Sequence, residues 1–278
     1  MKVLITAAEV ADLLARGGPV ALLDVRWALG DDRGRERYRE GHLPGAVYVD
    51  LDTELADPPS SAAGRHPLPS VQRLQAAARR WGLTGNLPVV VYDASGGLAA
   101  ARAWWLLRWG GLADVRLLDG GLDAWRLTGG LCETGDVVPP AGDVTLTGDG
   151  LPVLSMEEAA ALPPSGGVLL DARAGERYRG EVEPVDPRAG HVPGALSAPT
   201  TENLAPDGRF RTADELAGRF AALGVGPGRP VGVYCGSGVT AAHEVAALAV
   251  AGIDAALWPG SWSQWSNDPA RPVATGPA

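Results

Sequence analysis

Val233-Tyr234-Cys235-Gly236-Ser237-Gly238-Val239-Thr240-Ala241-Ala242 is the stretch whose reading decides the fold. The apolar run from Pro230 to Tyr234 has strand character, an alanine-rich helical pattern follows, and one cysteine stands on the loop between them. Two glycines in that loop, Gly236 and Gly238, let successive backbone N–H groups turn inward as an anion-binding nest. The helix behind them points its positive N-terminal end at the same place. Both effects favour a thiolate over a thiol, so the stretch predicts a reactive cysteine on an anion cradle.

Working outward, each neighbouring segment has a counterpart in the other half of the chain. Leu22-Leu23-Asp24-Val25-Arg26 is echoed by Leu169-Leu170-Asp171-Ala172-Arg173, and Glu36-Arg37-Tyr38-Arg39 by Glu176-Arg177-Tyr178-Arg179. Gly41-His42-Leu43-Pro44-Gly45-Ala46 returns as Gly190-His191-Val192-Pro193-Gly194-Ala195, and Gly120-Gly121-Leu122-Asp123-Ala124-Trp125 as Gly260-Ser261-Trp262-Ser263-Gln264-Trp265. Matches in one order mean an internal duplication. Strand and helix patterns alternate within each half, which predicts an α/β fold of two units with mainly parallel sheets flanked by helices. The boundaries expected are 1–127 and 153–278, joined by a Gly-, Pro-, Thr- and Asp-rich surface linker over 128–152. The duplication also supplies an internal control: Val90-Val91-Tyr92-Asp93 matches Gly232-Val233-Tyr234-Cys235, so Asp93 replaces the nucleophile and only the second half is expected to do chemistry.

Composition narrows the remaining classes. The 278 residues are 46% apolar and 21% charged, as in a globular protein, and the net charge of −9 argues against a nucleic-acid or anionic-membrane surface. Glu9 and Asp12 interrupt the N-terminal apolar region, and no run approaches the length of a membrane span, so a cytoplasmic protein is expected. Cys132 and Cys235 make neither a disulfide framework nor a metal-ligand spacing, and no metal or other cofactor is called for. A cysteine phosphatase needs an arginine six residues after its nucleophile to grip the phosphoryl group; here that position is Ala241.

The Asp-x-Arg strand ends, the Gly-His-x-Pro-Gly-Ala turn in both halves, the cysteine loop in the second half and the Gly-x-x-x-Trp element together resemble a two-domain rhodanese-type sulfurtransferase. The resemblance covers nearly the whole chain. It implies tandem rhodanese-like domains, an inactive N-terminal one and a catalytic C-terminal one, with the active site at their interface. The loop Cys235-Gly236-Ser237-Gly238-Val239-Thr240 is similar to that of 3-mercaptopyruvate sulfurtransferases, whereas thiosulfate sulfurtransferases typically place basic residues at its second and third positions. Basic residues there suit the thiosulfate dianion, and Gly236 and Ser237 suit a less charged donor.

The same resemblance implies roles for individual residues. Cys235 takes the sulfane sulfur as a persulfide and passes it to cyanide or a thiol, such as thioredoxin or a small thiol. The loop from Gly236 to Thr240 cradles the small anionic donor. Arg177 matches the substrate-binding arginine, and Arg188 stands near the place of a second one after the Glu-Pro-Glu-Pro-like stretch Glu181-Val182-Glu183-Pro184. His66, in Arg65-His66-Pro67-Leu68-Pro69, matches a histidine that reaches the loop serine, here Ser237, and Asp52 matches the acid that orients it. Thiosulfate is the alternative donor, and a non-catalytic sulfur-relay module is the alternative from another class.

Overall fold

In the computed structural model, residues 2–85 and 87–277 are described. They form two compact units. The first comprises Met1–Asp57, Pro69–Leu151 and Pro206–Phe210, and the second Pro58–Leu68, Pro152–Ala205 and Arg211–Ala278. Among the described residues, no helix is long and apolar enough to cross a membrane.

In the first unit the elements run β1 (Leu4–Ile5), α1 (Ala7–Ala15), β2 (Ala21–Asp24), α2 (Gly34–Glu40), β3 (Val47–Tyr48), α3 (Leu51–Glu54), α4 (Val71–Arg80), β4 (Val89–Tyr92), α5 (Ala100–Trp109), β5 (Val115–Leu118) and α6 (Gly121–Leu127). Their parallel sheet has the order β1-β5-β4-β2-β3. The second unit repeats the theme with α7 (Met156–Ala161), β6 (Val168–Asp171), α8 (Gly175–Tyr178), β7 (Leu196–Ser197), a 3-10 turn at Thr200–Asn203, α9 (Ala213–Ala222), β8 (Val231–Tyr234), α10 (Thr240–Val250), β9 (Ala256–Leu257) and α11 (Ser261–Trp265). Its parallel sheet has the order β7-β6-β8-β9. A single parallel bridge, Val153 to Leu257, stands where the first unit has its edge strand β1. The central strands β4, β6 and β8 are buried along their whole length, as continuous apolar runs covered on both faces should be.

Two segments differ from the expected boundaries. The stretch read as a surface linker is bound to the first unit, because Gly142, Val144 and Thr147 donate their N–H groups to the carbonyls of Arg79, Leu83 and Gly110 and bury Val144 and Leu146. Those carbonyls end α4 and α5 or follow them, so an extended chain without periodicity satisfies helix ends. Residues 58–68, expected in the first half, belong to the second unit and bring Arg65 and His66 with them.

The duplicated motifs fit together as a lock at the carboxyl end of each sheet. In the second unit Asp171, at the end of β6, pairs at 2.6 Å with Arg173, which also donates to the Gly190 carbonyl. The Tyr178 hydroxyl donates to the Ala195 carbonyl at 2.7 Å, the Tyr234 hydroxyl accepts from the Val192 N–H, and His191 bonds the Tyr178 carbonyl through Nδ1 while stacking on its ring at 3.7 Å. Asp24, Arg26, Tyr38, His42 and Tyr92 make the same contacts in the first unit. His42 and His191 are therefore parts of the frame, present whether or not a unit carries a cysteine. Burial holds the His191 imidazole below its ordinary pKa, so the folded state keeps it neutral while the unfolded chain takes up a proton as pH falls. This contribution is complete above the unfolded value of about 6.5 and is lost as pH falls through the lower folded value. The stability gap between wild type and His191→Gln, measured by urea unfolding, should be about 2 kcal/mol at neutral pH and narrow towards pH ~5. A gap constant across that range would exclude the linkage.

Candidate active site

β8 delivers Cys235 to the carboxyl edge of the second sheet, where its side chain is almost completely buried. The Gly238 N–H donates to Cys235 Sγ at 3.1 Å. Gly238 has φ +77°, and a Cβ there would lie 2.6 Å from the Pro259 carbonyl oxygen, so both its backbone conformation and its surroundings require glycine. α10 begins two residues later and aims its N-terminus at the loop. From the other side α11 holds the loop backbone: Trp262 and Ser263 donate their N–H groups to the carbonyls of Cys235 and Gly236, and Ser261 Oγ accepts the Cys235 N–H at 3.2 Å. Ser261 has φ 55°, alone among the described non-glycine residues in the positive region; its counterpart in the first unit is Gly121, at φ 57°. A serine in this conformation costs about 1 kcal/mol, and what it supplies is the hydroxyl beneath the cysteine.

The first unit shows what this loop geometry prefers. Asp93, at the matching position after β4, accepts four backbone N–H groups, from Ser95 and Gly97 on Oδ1 and from Ala99 and Ala100 on Oδ2, at 2.8 to 2.9 Å. The strand–loop–helix device takes an anion, and here the chain supplies its own.

Beside Cys235, His66 Nδ1 and Ser237 Oγ are 2.7 Å apart, both buried. The pair is made of second-unit residues alone. Asp52 lies in α3 of the first unit, where its carboxylate accepts the Trp27 indole N–H at 2.9 Å. Arg177, on α8, comes to the loop, since a Cβ on Gly236 would meet its Nη1 at 3.5 Å. Arg188 turns to the chain after α11. Its guanidinium donates to the backbone carbonyls of Trp265, Ser266, Asp268 and Arg271, so it caps the end of α11 and has no fork left for a carboxylate. Its place over the loop is taken by Arg65, whose Nη2 would lie 3.2 Å from a Cβ on Gly236.

Sequence reasoning missed Arg65, Asp186, Glu183 and Ser261. Arg65 adjoins His66 and could have been found from that neighbour; the positive φ of Ser261 could have been suspected from its pairing with Gly121. Asp186 and Glu183 sit on an irregular loop with no periodic signal. On the far side of the loop, α10 buries His243 against Thr200 Oγ1 at 2.7 Å and Glu244 against Asn203 and Arg219. Burial pushes the Glu244 carboxyl above its ordinary range despite Arg219. No cluster of three or more metal-ligating side chains occurs among the described residues.

The loop thus brings together a buried cysteine that accepts a backbone N–H, an imidazole–hydroxyl pair and two guanidinium groups. The family model "Rhodanese-like domain" matches residues 6–128 and 155–268, and the chain belongs to that family. It is 53% identical, over its whole length and 98% of the relative, to a Mycobacterium tuberculosis protein provisionally named thiosulfate sulfurtransferase SseB. It is 47% identical, over 98% of both chains, to a Pseudomonas aeruginosa protein provisionally named 3-mercaptopyruvate sulfurtransferase. The crystal structure of SseA from Escherichia coli, described as a 3-mercaptopyruvate sulfotransferase with the rhodanese fold, matches with a TM-score of 0.83 at 32% identity, over 94% of this chain and 99% of that one.

Asp93→Ala leaves four N–H donors, three of them buried, without their acceptor and should lower the stability of the first unit by about 3 kcal/mol or more, read from the urea midpoint. Ser261→Gly removes strain together with the hydroxyl under Cys235. It should leave the melting temperature unchanged or raised while lowering the rate of Cys235 alkylation by iodoacetate; an unchanged rate would remove Ser261 from the site.

Proposed function

We propose that this chain is a sulfurtransferase that moves a sulfane sulfur from 3-mercaptopyruvate, through a persulfide on Cys235, to cyanide or a thiol. The observation that carries this reading is the 2.7 Å contact between His66 Nδ1 and Ser237 Oγ on a cysteine loop that has no basic side chain of its own. Relatives named for either donor support sulfur transfer as the class of reaction.

In the first step the Cys235 thiolate attacks the donor sulfur. A sulfur–sulfur bond forms as the donor carbon–sulfur bond breaks, and the electron pair passes to the carbon, leaving the enolate of pyruvate. That carbon needs a proton. Ser237 stands to hand one over and His66 to replace it, a relay that works near neutral pH because imidazole titrates there. In the second step an acceptor thiolate attacks the outer sulfur and Cys235 leaves as thiolate. Gly238 N–H and the α10 N-terminus stabilise the negative sulfur in both steps. Thioredoxin or a small thiol in a reducing cytoplasm suits the acceptor role.

Thiosulfate is the second reading, favoured by the two arginine heads over Gly236. Its leaving group, sulfite, departs with the electron pair and needs no proton on carbon, so the donors separate in the assay. With cyanide as acceptor, Cys235→Ser should abolish transfer from both. Ser237→Ala and His66→Gln should each lower kcat with 3-mercaptopyruvate about a hundredfold, and kcat with thiosulfate far less. Equal losses with the two donors would remove the relay, and transfer by Cys235→Ser would remove the persulfide.

A further inference from the structure

The arginines at the loop are the outer end of a row of alternating charges, all within the second unit. Asp171 pairs with Arg173 at 2.6 Å, Arg173 with Glu183 at 3.3 Å, Glu183 with Arg177 at 2.6 Å, Arg177 with Asp186 at 3.2 Å, and Asp186 with Arg65 at 2.6 Å. The first three groups of the row, Asp171, Arg173 and Glu183, are closed off from solvent, and so is Asp186. Only the Arg177 and Arg65 side chains are open, at 18% and 23% exposure against 3% or less for the others. An open pocket of about 440 Å³ lined by Ser60, Gly64, Arg65, Asp186, Ser263 and Asn267 reaches the Arg65–Asp186 end.

Three arginines and three carboxylates balance, so the row is neutral although two guanidinium heads face the loop. A carboxylate donor of charge −1 can take a face of one arginine while Asp186 keeps the other. A dianion meets a site whose second positive charge is already matched by a buried carboxylate it has to displace or repel. We propose that Asp186, by occupying Arg65 and Arg177 together, sets the charge of the donor this site accepts and makes it selective for a monoanion over a dianion. This rests on the sulfurtransferase reading and deepens it: Asp186 acts as a positioning residue through the two arginines, and the charge that decides the donor lies outside the cysteine loop. Gly236 belongs to the same device, because its missing side chain leaves room for the two heads that charge the loop from outside.

The test compares kcat/KM for thiosulfate and 3-mercaptopyruvate in wild type, Asp186→Asn, Arg65→Gln and, as a control of equal charge change, Glu181→Gln, an exposed residue paired with Arg179. Asp186→Asn should raise the thiosulfate-to-mercaptopyruvate ratio about tenfold or more, through KM, since one nearby charge at an effective dielectric constant of about 20 has that weight. Arg65→Gln should lower the ratio, and Glu181→Gln should leave it unchanged. The same substitutions built on Cys235→Ser, titrated calorimetrically with thiosulfate and with pyruvate, should shift relative binding in the same directions without turnover. A ratio unmoved by Asp186→Asn, or moved equally by Glu181→Gln, overturns the proposal. Should Asp186→Asn fail to fold, an Arg65→Gln ratio equal to that of wild type overturns it alone. Absence of transfer from either donor in wild type overturns the sulfurtransferase reading instead, and the calorimetric comparison still decides the role of Asp186.

Discussion

Past the last residue of a buried central strand, the chain must turn and start a helix, and the N–H groups it exposes there have no carbonyl to meet. In this protein that geometry occurs twice, after β4 and after β8, and each time a side-chain acceptor sits in it. After β4 it is a carboxylate; after β8 it is the sulfur of Cys235, reached by the Gly238 N–H. The rest of the second unit follows from keeping that sulfur in register. The repeated tyrosine–histidine–arginine lock fixes the ends of the strands, α11 pins the loop carbonyls, and Ser261 accepts backbone strain to hold the cysteine N–H.

Charge in the second unit is arranged differently from charge in the first. Both units pair an aspartate at a strand end with an arginine two residues on. Among the described residues the second extends the pair outward, through Glu183 and Asp186, to arginines at the loop. Glu183 also accepts the N–H groups of Val185 and Asp186, so the irregular segment that carries these carboxylates is folded by them. The arginines at the loop and the buried frame are thus one electrostatic object.

Much of the fold was legible because the signals are local. Continuous apolar runs gave the strands, and the ordered repeats gave the duplication. The cysteine loop was legible for the same reason: strand, two glycines and helix lie within a few residues. The partners of Arg188 were not legible, because a loose match in spacing says nothing about which carbonyls lie within reach of a guanidinium. The attachment of the expected linker, 128–152, to the first unit was not legible, because its N–H groups meet helix-end carbonyls far away in sequence, which leaves no periodicity. Arg65 and Asp186 meet over a separation of 121 residues, and only folding makes them neighbours.

The first unit keeps its cradle filled with a side chain of its own. Asp93 has four N–H partners there, where a thiol would keep few of them. Replacing it by cysteine would therefore forfeit stability in that unit. One backbone device thus serves as a fixed structural joint in the first half and carries a cysteine on its loop in the second.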